Sequence, residues 1–278
     1  MKNDLYKSVK NKKGSPLIAM LLNGLALGAV LVCSSGQVAA MDLRSEEKEE
    51  RPVNVLSVEG GGTRGIIPLV FLSEAEKEVK EQTKKHIPAC EIFDLMAGSS
   101  IGGTIVAGLT LPRKDDPTQP MFTATQMLQN FEVEIPNLFQ SRCSLWGLLG
   151  PKYKSSGPQQ VSERIFGDAT FDKSLTRTMI PAFDLESNKT VIFKSWKPDR
   201  SCFHTGDIAQ GTGAAPTYFS PYKIAATDCS PEYRLVDGAF SANDPTQSAM
   251  IEAEKIFGCD QKHLIGNYPG LLWAELRI

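Results

Sequence analysis

Short apolar runs and longer stretches with helical spacing alternate along the chain, and the joints between them are rich in glycine. The run VNVLSV at 53–58 is β-branched and reads as a buried strand. It leads into Glu59-Gly60-Gly61-Gly62-Thr63-Arg64-Gly65. Beyond that loop Leu69, Leu72, Ala75 or Glu76, and Val79 share one helical face, with the charges of EKEVKEQTKK on the other. A second strand-length run, IFDLMA at 92–97, leads into Gly98-Ser99-Ser100-Ile101-Gly102-Gly103 and an apolar helix at 104–109. Further strands are expected at 190–196 (TVIFKSW) and 234–236, the latter ending in Asp237-Gly238-Ala239. Asn243-Asp244-Pro245 then supplies an N-cap with proline in the first turn of a helix. Ala249, Met250, Ala253, Ile256 and Phe257 form its apolar face, and Gly258 ends it.

Strands alternating with helices predict an α/β fold around a mostly parallel sheet. Ligands of such sheets sit beyond the carboxyl ends of the strands, where all three glycine-bearing turns fall, so the turns can converge on one site. Residues 112–160 break the pattern. They are rich in Pro, Gln, Ser and Thr yet contain Phe139, Leu145, Trp146, Leu148 and Leu149. The expectation for them is an ordinary insertion packing its own small core; an apolar rim meeting a greasy substrate is the alternative.

With 278 residues, 41% hydrophobic and 22% charged, the composition excludes disorder, collagen-like repeats and coiled-coil rods. A net charge of −2 lacks the basic footprint of a nucleic-acid binder, and three histidines argue against a His-built metal site. The charge is unevenly spread. Residues 1–40 carry five lysines and one aspartate, a net +4, which leaves −6 for the rest. An apolar run at 17–33 follows the lysines, then small residues, with Val38 and Ala40 placed for a cut before Met41. Export with cleavage after Ala40 is the expectation, and an uncleaved membrane anchor through 17–33 is the alternative. Cleavage leaves Cys90, Cys143, Cys202, Cys229 and Cys259, none in a CxxC pair, so zinc and thioredoxin-type chemistry are unsupported. Residues 41–52 read as a charged linker.

Gly98-x-Ser100-x-Gly102 has the pattern of a nucleophile elbow: a serine on a tight strand-to-helix turn, with glycines relieving the crowding on either side. Ser99 lacks that flanking. Gly60 to Gly65 can be read as a dinucleotide fingerprint, but the region where that motif wants an acid at a strand end is a charged helix. The other reading is an oxyanion hole, whose main-chain N–H groups approach a substrate oxygen with no Cβ in the way. For a base, Ser100, Asp237 and His263 match the chain order of an α/β-hydrolase triad. Asp237 at its strand end can instead accept the serine proton directly if burial raises its pKa. As a lone residue it also fits a turn-capping aspartate.

Taken together the segments resemble the patatin-like phospholipase family. EGGGTRGIIPLVFL (59–72) is similar to its oxyanion segment and AGSSIGGTIVAGL (97–109) to its nucleophile segment. AAPTYFSPYKI (214–224) and VDGAFSANDPTQSAMIEA (236–253) are similar to its two later segments. The resemblance covers residues 53–258 and implies a three-layer α/β/α sandwich with a mostly parallel sheet. It also implies a Ser100–Asp237 dyad without histidine and an oxyanion hole from Gly60, Gly61, Gly62, Thr63, Arg64 and Gly65, supported by Gly98, Gly102, Gly238 and Ala239. The implied activity is hydrolysis of phospholipids or other acyl lipids at a membrane surface, with no metal or other cofactor and no nucleic-acid partner. Residues 259–278 depart from the family, which continues with another strand. A shortened or altered C-terminus is therefore expected, with Leu271, Leu272 and Trp273 exposed. A catalytically weakened lipid-binding protein is one alternative that follows, and a dinucleotide-binding oxidoreductase is the most distant one.

Overall fold

The computed structural model describes residues 53–138, 151–227 and 231–258, together with the backbone of 271–276. Strand β1 (Val53–Val58) passes through a 3-10 turn (Gly62–Gly65) into α1 (Ile66–Thr83). Then come α2 (Ala89–Ile92), β2 (Leu95–Gly98), α3 (Ile101–Thr110), α4 (Ala124–Leu138) and α5 (Ser156–Phe166). The hairpin of β3 (Arg177–Asp184) and β4 (Lys189–Lys194) follows, then α6 (Pro198–Ser201), α7 (Thr205–Thr212), β5 (Tyr222–Ala225) and β6 (Glu232–Val236). The last elements are α8 (Ala239–Ala242), α9 (Thr246–Phe257) and β7 (Leu271–Leu276).

The sheet has the order β5-β6-β3-β2-β1-β7, with β4 on the other edge of β3. Strands β7, β1, β2 and β3 run parallel, and β5 shares their direction because it and β3 are each antiparallel to β6. Strand β2 pairs with residues 177–179 of β3 and β6 with 183–184, so β6 continues the edge where β2 stops. This is how Asp237, at the end of β6, arrives beside Ser100, just past the end of β2.

Alternation along the central strands builds two cores, one on each face. Leu56, Val58, Met96 and Ile180 join the larger cluster under α1, α3 and α7, while Val55, Leu95, Ala97 and Met179 pack with Ala249 and Ala253 of α9. The result is the expected three-layer α/β/α sandwich. On α1 the expected face is buried: Leu69, Leu72, Ala75 and Val79 lie in the larger core. Burying each of those leucines contributes roughly 1.5–3 kcal/mol.

Several boundaries differ from the sequence expectation. The run IFDLMA is not all strand. Pro88 opens a helical turn whose carbonyl accepts from the Glu91 N–H, and the chain joins β1 only from Leu95. The strand expected at 190–196 is the return arm of a hairpin. Its turn is held by Asp184, which accepts from the Ser187 N–H (3.0 Å) and hydroxyl (2.6 Å). Pro245, expected in the first turn of α9, stands instead at its N-cap position, and Asp244 just before it accepts from the Thr246 N–H at 3.0 Å. Gly258 ends α9 at φ +74° as expected. The largest difference is at the C-terminus, where no further strand was expected. Strand β7 lies parallel to β1 from Val53↔Leu271 to Val58↔Leu276. The physical reason is that β1 otherwise presents a row of unpaired N–H and C=O groups at a sheet edge, and LLWAEL is apolar enough to fill it.

Candidate active site

Ser100 occupies the turn between β2 and α3 with φ 52° and ψ −124°, a conformation that L-residues avoid. Such strain costs on the order of 1–3 kcal/mol and persists only where the surroundings over-determine it. Here the flanking glycines do so by contact. A Cβ on Gly98 would lie 2.2 Å from the Gly102 carbonyl oxygen, and a Cβ on Gly102 would lie 2.2 Å from that of Val58. The neighbouring Ser99 is fully buried, and its N–H donates to the Val58 carbonyl.

The Ser100 hydroxyl donates to Oδ2 of Asp237 at 2.7 Å. The other carboxylate oxygen, Oδ1, accepts from the Ala239 N–H at 2.8 Å, so the turn that follows β6 orients the carboxylate. Burial raises the Asp237 pKa above the ordinary carboxylate value, and the hydrogen bonds from Ser100 and Ala239 partly oppose it. Gly238 allows the close approach that this needs, since a Cβ there would lie 2.3 Å from the Pro181 carbonyl oxygen.

The expected oxyanion segment divides. Gly60, Gly61, Gly62 and Thr63 line the same cavity as Ser100 and Asp237. Gly62 has φ +60°, and a Cβ on Gly60 would lie 2.9 Å from that of Ser100. Gly62 and Thr63 open a 3-10 turn, where the first N–H groups have no intrahelical partner. Arg64 is exposed and makes a long contact (3.5 Å) to the Gly61 carbonyl, which favours a role in shaping the loop. Gly65 is buried against Ile101.

The cavity has a volume of about 580 Å³. Its lining is mostly apolar, with Met127, Phe131, Val161, Ile165, Phe166 and Phe219, and also includes Glu134, Ser162 and Gln210. For residues 124–138 this differs from the expected separate core. Helix α4 does not pack a small core of its own: Ala124, Met127 and Phe131 join the main core, and α4 and Tyr153 line the site. The cause is that α4 lays its apolar face on α1 while its far end reaches the cavity. Phe139, Leu145, Trp146, Leu148 and Leu149 lie outside the described residues.

The two described histidines stand apart from this geometry. His86 is exposed, and His204 caps α7 with its Nδ1 3.2 Å from the Asp168 carbonyl. His263 lies outside the described residues. Among the described residues no cluster of His, Cys, Asp or Glu could hold a metal. No described helix is long and apolar enough to cross a membrane, and residues 1–52 lie outside the described part.

Beside the cavity wall from Met127 and Phe131, a residue behind the nucleophile escapes sequence reading. Thr212, the last residue of α7, is fully buried and accepts the Ser100 N–H on its hydroxyl at 2.9 Å. No spacing signals this, because the two residues are 112 positions apart.

The sequence model of the family described as Patatin-like phospholipase matches residues 56–250. Patatin-like protein 1 of Arabidopsis thaliana is 33% identical over 235 residues, 77% of this chain and 56% of that protein. Patatin-T5 of Solanum tuberosum is 34% identical over 223 residues, 76% of this chain and 55% of that protein. The chain belongs to the patatin-like phospholipase family, and it spans about half the length of the curated relatives it matches. Its likeness to the crystal structure of VipD from Legionella pneumophila is slight, with a TM-score of 0.31 and 13% identity over 68% of this chain and 46% of that one.

Proposed function

We propose that the protein is a lipid acyl hydrolase of phospholipase A type that works through a Ser100–Asp237 dyad. Ser100 Oγ attacks the carbonyl carbon of a fatty-acyl ester while its proton passes to Asp237. The carbonyl oxygen becomes an oxyanion, held by main-chain N–H groups of Gly61, Gly62 and Thr63. Each such donor is worth roughly 3 kcal/mol of transition-state stabilisation. The tetrahedral intermediate collapses, and the departing alcohol takes the proton from Asp237. Water then gives a proton to Asp237 as it attacks the acyl-serine; the second tetrahedral intermediate collapses, Ser100 Oγ takes that proton back from Asp237, and the fatty acid leaves.

The single observation that carries this reading is the 2.7 Å hydrogen bond between Ser100 and Asp237 at an apolar cavity. An acyl chain fits such a wall, and a raised Asp237 pKa makes it a stronger base than an exposed aspartate. The substrate is drawn from a lipid surface. Tyr218 (46% exposed) lines the cavity, and Phe240 (62% exposed) adjoins the lining residue Ala239, so both are placed to meet the interface. Residues 1–40 direct export, which N-terminal sequencing of exported protein tests by finding Met41 first. The test of function is fatty-acid release from mixed phospholipid vesicles by wild type and Ser100→Ala in parallel. Release by wild type alone supports the reading; equal release, or none from either, overturns it.

A further inference from the structure

We propose that Thr212 is a positioning residue that fixes the nucleophile turn to the turn carrying its base. This rests on the Ser100–Asp237 reading and adds a third side chain to it. The Thr212 hydroxyl donates its one proton to the Pro181 carbonyl of β3 at 2.6 Å. A carbonyl can only accept, so the direction of that bond is set, and the lone pairs of Oγ1 remain for the Ser100 N–H at 2.9 Å. The main chain of the same residue completes the bracket. The Thr212 carbonyl accepts from the Gly238 N–H at 3.0 Å, and the Ala214 carbonyl two residues on accepts from the Asp237 N–H at 3.0 Å. The end of α7 therefore holds one half of the dyad by a side chain and the other half by main chain.

The side-chain link is the one a mutation can cut. Ser100 sits at φ 52°, away from the conformations its backbone prefers, and the Thr212 hydroxyl grips its N–H. Without that acceptor the turn relaxes, and Oγ leaves the line to Asp237 Oδ2. A misplacement of about 1 Å in a catalytic group costs on the order of 100-fold in rate. Substrate binding in the apolar cavity does not depend on this bond, so the loss falls on kcat.

The experiment compares Thr212→Val, Thr212→Ser and Thr212→Ala with wild type on a soluble short-chain ester. Kcat is expressed per site titrated with a fluorophosphonate, so that unfolded molecules are not counted. Thr212→Val is expected to lose roughly 10- to 100-fold in kcat per titrated site with KM within about twofold. Thr212→Ser keeps the hydroxyl and is expected to stay within about threefold of wild type. If Thr212→Val does not fold, the ratio of Thr212→Ser to Thr212→Ala, at least about tenfold, reads the same hydroxyl. Wild-type kcat per titrated site in Thr212→Val, or equal values for the Ser and Ala variants, overturns the proposal. Ser100→Ala and Asp237→Asn run in parallel: if they retain activity, it is the dyad that has failed and not Thr212 alone.

Discussion

The Ser100 hydroxyl and the Asp237 carboxylate meet at 2.7 Å across 137 positions of sequence, and each alters the other's chemistry. Burial pushes the aspartate pKa up, and the serine hydrogen bond pulls it part of the way back. Removing the hydroxyl removes the pull. In Ser100→Ala the Asp237 carboxyl should therefore titrate at higher pH than in wild type, as followed by carboxyl NMR. Since the base acts only when ionised, wild-type kcat/KM should fall as pH drops through a value above the ordinary aspartate range. An Asp237 pKa that drops in Ser100→Ala contradicts this account.

Glycines in the site are required for two different reasons, and alanine substitutions separate them. At Gly98 a Cβ would lie 2.2 Å from the Gly102 carbonyl oxygen, a backbone atom that cannot move without opening the elbow. Gly98→Ala should sit at the upper end of the roughly 1–3 kcal/mol typical of overpacking. Gly62 has open space around its missing Cβ but φ +60°, so Gly62→Ala should cost only about 1–2 kcal/mol of backbone strain. Urea midpoints of the two variants check the order.

Glu76 on α1 is a buried carboxylate that caps two helices: Oε1 accepts from the Ala89 N–H and Oε2 from the Ala124 N–H, each at 2.9 Å. Burial outweighs these bonds and raises its pKa from 4.5 to about 7. Between those values the folded chain holds a proton that the unfolded chain has released. The contribution of Glu76 to stability is therefore greatest below pH 4.5 and is lost as pH rises to about 7. The loss amounts to about 3 kcal/mol. Glu76→Gln should remove that contribution to the slope. Urea unfolding of both proteins at the two ends of the window measures it, and identical slopes contradict it.

A dyad without histidine predicts that His86→Ala, His204→Ala and His263→Ala each keep most of the ester hydrolysis. His204→Ala should lose a little stability, since its ring nitrogen is 3.2 Å from the Asp168 carbonyl. Loss of activity in His263→Ala points instead to the Ser100-Asp237-His263 triad that the chain order also allows.

Much of the fold was legible because it rests on local rules. Leu69, Leu72 and Val79 mark a helix face, and Gly98 and Gly102 mark an elbow, through spacing alone. The hairpin at 184–189 was not, because strand-and-helix alternation carries no sign of direction and the turn depends on what Asp184 bonds. Strand β7 and the wall supplied by Met127 and Phe131 depend on tertiary partners that the local pattern does not encode. Thr212 is the sharpest case, as its hydroxyl acquires a role only when α7 ends against the Ser100 turn.

The most direct test of the central claim is fluorophosphonate labelling of the wild-type chain and of Asp237→Asn, with the modified residue located by peptide mass spectrometry. One adduct is expected on Ser100, forming quickly in wild type and at least about 100-fold more slowly in Asp237→Asn. An adduct on another residue, or equal labelling rates for the two proteins, contradicts it.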